Sequence, residues 1–279
     1  MSGPSVSGAA ASRALVAAAL ALVTAGCAAT GSLEAGGSAP TTGAPADPLA
    51  GEVTVLAAAS LGDAFTALAD SFEAAHPGVT VTLGLGPSSG LAAQVAAGAP
   101  ADVLATADTS TMADALAGIT PGTGPGAEPV VFARNTLAVA VPGQDPGDVD
   151  DLGDLSRSDV TFAVCAPEVP CGAAAARVLA AAGISRSPVT YENDATAVLT
   201  KVVWDEVDAG LVYASDVRPQ APAVLRGTVR AVPIPQELNT TTSYPVVALT
   251  ATDLARAFVD HVLSAEGTQV LAEAGFLRP

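Results

Sequence analysis

The chain has 279 residues, half of them apolar, enough to bury a large core and to suggest two domains. Its formal charge of -17 at pH 7 argues against nucleic acid and anionic membrane surfaces as partners. Taken alone, that charge also disfavours an anionic ligand. Aromatic residues are scarce, and Lys201 is the only lysine among the 11 basic residues.

The first 27 residues read as an export signal. Arg13 supplies the leading charge, residues 14–25 form the apolar core, and Thr24-Ala25-Gly26-Cys27 is a small-residue cleavage site. The apolar run is too short to span a membrane as a standard helix. A cysteine directly after small residues resembles a bacterial lipobox. Cys27 is therefore expected to become the lipidated first residue of the mature chain, with simple secretion as the alternative. Residues 28–50 are mostly Gly, Ser, Thr, Ala and Pro and read as a flexible linker. As a coil such a linker spans about 25–30 Å, enough to hold a folded domain clear of a membrane.

The folded part opens on Val53-Thr-Val-Leu-Ala-Ala-Ala-Ser-Leu-Gly-Asp63. The first residues read as a strand, and Ser60 with Asp63 fits a Ser-x-x-acid helix cap. Leu61, Phe65, Leu68 and Phe72 follow at helical spacing, and His76-Pro77-Gly78 stops the helix. Residues 79–83 alternate like a second strand. Gly84-Leu-Gly-Pro-Ser-Ser-Gly90 comes next, and a helix restarts over 91–97. Residues 102–106 read as a third strand, 109–117 as a short helix, and the Gly- and Pro-rich 118–129 as a loop. Two strands, 130–132 and 137–141, flank Ala133-Arg-Asn-Thr136, which reads as a crossing between domains. Further on come a strand at 160–164, the loop Cys165-Ala-Pro-Glu-Val-Pro-Cys171 and an alanine-rich helix from 173 to about 183. A strand at 189–192 meets Asn193-Asp194, a cap signal for a helix over 195–204. Strands at 210–213, 229–234 and 244–249 and two closing helices complete the chain. Alternation of this kind indicates mostly parallel sheets covered by helices.

Four strand-to-helix or strand-to-loop turns, around Ser60, Ser88, Cys171 and Ala195, thus carry hydroxyls or free N–H groups. The first N–H groups of a helix have no intrahelical partner and carry partial positive charge, so each turn is a potential anion site. In open α/β sheets such turns face the crevice at the carboxyl ends of the strands. Two domains facing across a cleft would bring all four to one point.

Seven pieces in order resemble the molybdate-binding proteins of ABC transporters, a branch of the type II periplasmic binding proteins. They are Ala57-Ala-Ala-Ser-Leu61, Pro87-Ser-Ser-Gly-Leu91, Ala97-Gly-Ala-Pro-Ala-Asp102, Arg134-Asn135, Val169-Pro-Cys-Gly172, Gly210-Leu-Val-Tyr-Ala-Ser-Asp216 and Tyr244-Pro245. The resemblance covers nearly all of 51–279. It implies an α/β fold of two domains, with mixed sheets, a ligand cleft between them and two crossings that act as hinges. The domains are expected at 51–134 plus 243–279 and at 135–242. Members hold a tetrahedral dianion with neutral donors only. By position, Ser60 and Ser88 would give hydroxyls and backbone N–H groups from the first domain. The N–H groups of Cys171 and Ala195 and the Tyr213 hydroxyl would come from the second. Cys171 stands where the family often has alanine, but the donor there is main chain. The resemblance further implies a non-enzymatic, extracytoplasmic protein, which the Cys27 lipobox would anchor by lipid on the outer face of the cytoplasmic membrane. It would act as a monomer that captures molybdate, and tungstate too, with no cofactor. It would then pass the ion to a permease driven by an ATPase.

Two rival readings stand beside it. One is a receptor for another tetrahedral oxyanion, sulfate or phosphate. The other is a secreted serine hydrolase, because Gly86-Pro-Ser-Ser-Gly90 also matches the G-x-S-x-G nucleophile elbow and His261 lies downstream. His261, however, falls inside a helical stripe of Leu254, Phe258 and Val262. Asp63 and Asp194 read as helix caps, and with two histidines in the chain a metal site is not expected. Cys165 and Cys171 bracket a short loop in an exported protein, at a spacing that suits neither zinc nor a redox C-x-x-C motif, so a disulfide is expected. In the chain-entropy model it contributes roughly 2 kcal/mol.

Overall fold

Two five-stranded mixed sheets carry the fold in a computed structural model that describes residues 49–119 and 128–279. The export signal, Cys27 and nearly all of the linker lie outside the described residues, as does most of the loop after 119.

The first sheet takes β1 (Gly51–Ala58), β2 (Val79–Gly86), β3 (Val103–Ala105), β4 (Val130–Asn135) and β10 (Thr242–Ala248), in the spatial order β2-β1-β3-β10-β4. The second takes β5 (Leu137–Pro142), β6 (Phe162–Cys165), β7 (Thr190–Glu192), β8 (Ala209–Tyr213) and β9 (Val229–Pro233), in the order β7-β6-β8-β5-β9. Both follow one plan. Three strands pair in parallel, and β10 or β5 then runs antiparallel to its two neighbours. In each sheet the reversed strand is the one arriving from the other sheet. That is why the sheets are mixed rather than simply parallel.

The connecting helices are α1 (Gly62–Ala75), α2 (Ser88–Ala96), α3 (Thr109–Ala117), α4 (Pro170–Ala181), α5 (Ala195–Val203) and the short α6 (Pro222–Leu225). Helices α7 (Asp253–Leu263) and α8 (Ala265–Glu273) close the chain beside the first sheet. The apolar stripe of α1 is buried as its spacing requires, with Phe65, Leu68 and Phe72 all inaccessible to solvent. Phe72 meets Phe258 of α7 edge-on at 5.3 Å, and Phe65 meets Phe132 of β4 at 5.8 Å. The second sheet relies on small residues instead. Helix α4 buries Ala174, Ala175 and Val178, and α5 lies so close to β8 that a Cβ on Gly210 would come within 2.7 Å of Val198.

The chain passes from the first sheet to the second at Thr136 and returns over 234–241. Asn239 ties the two passages together: its Nδ2 donates to Leu137 O at 2.7 Å and its Oδ1 accepts from Leu137 N at 3.1 Å.

Two helices start earlier than their spacing suggests. Helix α2 begins at Ser88, and α4 begins at Pro170, where a fixed φ suits the first helical position. Gly172, in the first turn of α4, cannot carry a side chain, because a Cβ there would lie 1.8 Å from Ala166 O. Gly172→Ala should therefore force the α4 start away from β6. We expect a loss of about 1–3 kcal/mol or more in chemical denaturation, whereas an unchanged midpoint would show that the loop can yield.

Candidate functional site

All five residues singled out by position, Ser60, Ser88, Cys171, Ala195 and Tyr213, line one cavity of about 20 Å³. Its walls come from both halves of the fold. The end of β1 and the turn after it supply Ala58 to Ser60, the end of β2 and the start of α2 supply Gly86 to Ser88, and the turn after β3 supplies Ala107, while the starts of α4 and α5 and the end of β8 supply the rest. One buried water needs roughly 10–15 Å³ by the same kind of measure, so the space suits a small ion rather than a sugar or peptide. An adjoining groove of about 360 Å³ shares only Ser60 of these five, and its walls include Asp63, Asp216, Arg218 and Arg226.

The cavity is rich in donors. Tyr213 is 2% exposed, and its hydroxyl makes no hydrogen bond of good geometry among the described residues, with the Tyr244 hydroxyl as its polar neighbour. Such a buried orphan costs about 1–3 kcal/mol unless something else accepts its hydrogen. Burial, reinforced by the neighbouring Tyr244, pushes the Tyr213 phenol well above its ordinary pKa, so it stays protonated. Ser88, 4% exposed, accepts from Ala107 N at 3.0 Å, which leaves its own hydrogen to be donated. Cys171 and Ala195 sit in the first turns of α4 and α5, where N–H groups lack helical partners. No lysine or arginine lines the cavity. Its one charged residue, Asp194, turns its carboxylate to the Ala197 N–H at 2.8 Å as the cap of α5. Cys165 and Cys171 form the expected disulfide, with Cα atoms 5.7 Å apart, closing the loop that delivers the Cys171 N–H.

Two details correct the sequence reading. Ser60 does not cap α1. It lies in a single 3₁₀ turn, Ala59–Leu61, whose end leads directly into the helix, and Leu61 takes the cap position without a side-chain bond. The Ser60 hydroxyl instead meets the Tyr244 hydroxyl at 3.2 Å. Asp63 is accordingly no cap either; it pairs with Arg218 at 3.3 Å, across from one half of the fold to the other. The sequence places Tyr244 in a family motif but gives it no part in the site, since its partner is 184 positions away and no local pattern joins them. The early start of α4, by contrast, was signalled by Pro170. His261 is on α7, 2.8 Å from Ser71 Oγ and packed on Phe72, so it serves a helix contact and not Ser88.

The family model of the bacterial extracellular solute-binding proteins matches residues 53–277, and the chain belongs to that family. Within it, the chain is 39% identical over 253 residues to the molybdate-binding protein ModA of Mycobacterium bovis, covering 88% of this chain and 93% of that one. It is 29% identical over 237 residues to ModA of Escherichia coli K12, covering 81% and 89% of the two chains. The solved periplasmic molybdate-binding protein of Azotobacter vinelandii shares the fold, with a TM-score of 0.68 at 20% identity, over 81% of this chain and 99% of that one.

Beside the cavity, Asp216 follows β8 and accepts from Tyr213 N at 3.1 Å. Desolvation pushes its carboxyl up to about 7, against the Tyr213 N–H and Arg218, which favour the charged form; Asp194 and Asp63 add to the rise. A carboxyl with a raised folded pKa stabilises the fold most below its unfolded value and loses that contribution as pH climbs through the folded one. Between about pH 4 and 7, Asp216 should therefore make stability fall with rising pH. Asp216→Asn keeps an acceptor for Tyr213 N, and urea denaturation at pH 5 and 7.5 should show it gaining on the parent at the higher pH. Parallel pH profiles for the two proteins would contradict the assignment.

Proposed function

We propose that this protein captures molybdate, and tungstate with it, outside the cytoplasmic membrane and delivers it to the permease of an ATP-driven importer. The ion is held by the hydroxyls of Ser60, Ser88 and Tyr213 and by the N–H groups of Cys171 and Ala195. It is cargo, neither cofactor nor substrate of a reaction. The observation that carries this reading is the Tyr213 hydroxyl, buried without a well-formed hydrogen bond on the wall of a small cavity that no lysine or arginine lines. The family and the molybdate-binding relatives support it.

The physics is sufficient without a cation. A hydrogen bond to a charged group is worth about 1.5–3 kcal/mol, and each helix terminus adds roughly 0.3–1. Molybdate has no proton at neutral pH, so a wall of donors suits it, whereas phosphate keeps a proton that asks for an acceptor. The anion joins two lobes, 51–134 with 243–279 and 135–242, which we take to close by bending at the passages near Thr136 and Asn239. Anchoring through lipidated Cys27, on a chain that acts as a monomer, completes the reading. It rests on the leader sequence.

Isothermal calorimetry should find tight binding of molybdate and tungstate and much weaker binding of sulfate and phosphate. Equal or tighter binding of sulfate would replace molybdate by the rival oxyanion. Tyr213→Phe separates binding from folding. It removes the orphan hydroxyl, so the ligand-free protein should unfold at an equal or higher temperature while molybdate affinity drops about tenfold or more. A variant that binds as well as the parent would take Tyr213 out of the site.

A further inference from the structure

We infer that Tyr244 is a positioning residue that sets the direction of the Ser60 hydroxyl: its phenol donates to Ser60 Oγ, so the Ser60 hydrogen is turned toward the anion. This rests on the functional reading above and adds to it a residue outside the cavity wall. Tyr244 is fully buried on β10 and does not line the cavity, yet its hydroxyl lies 3.2 Å from Ser60 Oγ. Its ring is wedged edge-on between Tyr213 at 5.7 Å and Phe276 at 5.3 Å, which gives the oxygen one direction to face.

Either hydroxyl could supply the hydrogen in that bond. The anion decides. An oxyanion only accepts, so Ser60 contributes to it only by donating, and Ser60 Oγ is then left as the acceptor for Tyr244. Burial raises the Tyr244 phenol far above its ordinary pKa, against lowering by Ser60, Tyr213 and Asn135, so it keeps the proton that this requires. The other serine is treated alike, since the Ala107 N–H donates to Ser88 Oγ at 3.0 Å. Each serine oxygen thus receives one hydrogen and keeps its own to offer. Fixing both in advance removes the cost of ordering a free rotor when the ion arrives.

A double-mutant cycle on the full mature protein tests this, with molybdate as the titrant in calorimetry. Tyr244→Phe keeps the ring and removes the donor, and should weaken binding about five- to tenfold. Ser60→Ala should weaken it further. The double variant should bind no worse than Ser60→Ala alone where Tyr244 acts through Ser60, whereas a further loss would assign its effect to the neighbouring Tyr213 hydroxyl and overturn the inference. A general packing defect would instead multiply the two losses, and that result overturns the inference, as does unchanged binding by Tyr244→Phe. A second route leaves the fold intact: 3-fluorotyrosine at position 244 is a stronger donor and should tighten molybdate binding about twofold, whereas looser binding would contradict the assignment. If the parent protein takes up no molybdate, the functional reading fails and this inference with it; if the parent binds and the cycle is additive, only the inference fails.

Discussion

Neutral hydrogen-bond donors can hold a doubly charged ion only where water is kept from competing and where the donors are already aimed. In bulk water each hydroxyl or amide is matched by solvent, and the gain is small. In a dry pocket the same dipoles act at a low dielectric and need no rearrangement. That constraint accounts for the plan of the molecule. A strand ends, a few small residues turn the chain, and a helix begins with its unpaired N–H groups toward the crevice. The first sheet does this at Ser60 and Ser88, and the second at Cys171 and Ala195. The formal charge of -17 does not undo it, since exposed carboxylates are screened over about 8 Å at physiological salt while the cavity is not.

Small residues make the approach possible. Alanines 58 and 59 and Gly86 line the cavity beside the serines, so main chain rather than side-chain bulk faces the open space. Gly172 lets α4 start against the carbonyl of Ala166, and the Cys165–Cys171 bridge closes the same loop from the other side. Tyr213 stands apart from this economy of size. Its hydroxyl bears the cost of burial without a partner, a cost the fold carries until an acceptor enters. A buried polar group of this kind calls for an explanation, and an acceptor in the cavity supplies one.

Much of this was legible in the sequence, and for identifiable reasons. The strand–turn–helix units show because their apolar periods change from two to nearly four across a turn residue, and the five cavity residues fall at those turns or at a strand end. Fold and donors were therefore readable from local pattern and from resemblance together. What stayed hidden depends on contacts between distant segments. The capping reading of Ser60 and Asp63 was sound locally, but Tyr244 takes the one hydroxyl and Arg218 the other carboxylate, and neither partner is near in sequence. The reversed strands β5 and β10 were hidden for a related reason: direction in a sheet is set by where the chain crosses, not by the composition of the strand.

The most direct measurement is a crystal structure of the protein grown with molybdate, with the ion located by anomalous scattering at the molybdenum absorption edge. The account predicts one peak, within hydrogen-bonding reach of the Ser60, Ser88 and Tyr213 hydroxyls and the Cys171 and Ala195 amides. A peak in the adjoining groove beside Arg218 or Arg226, with the small cavity holding only water, would contradict it.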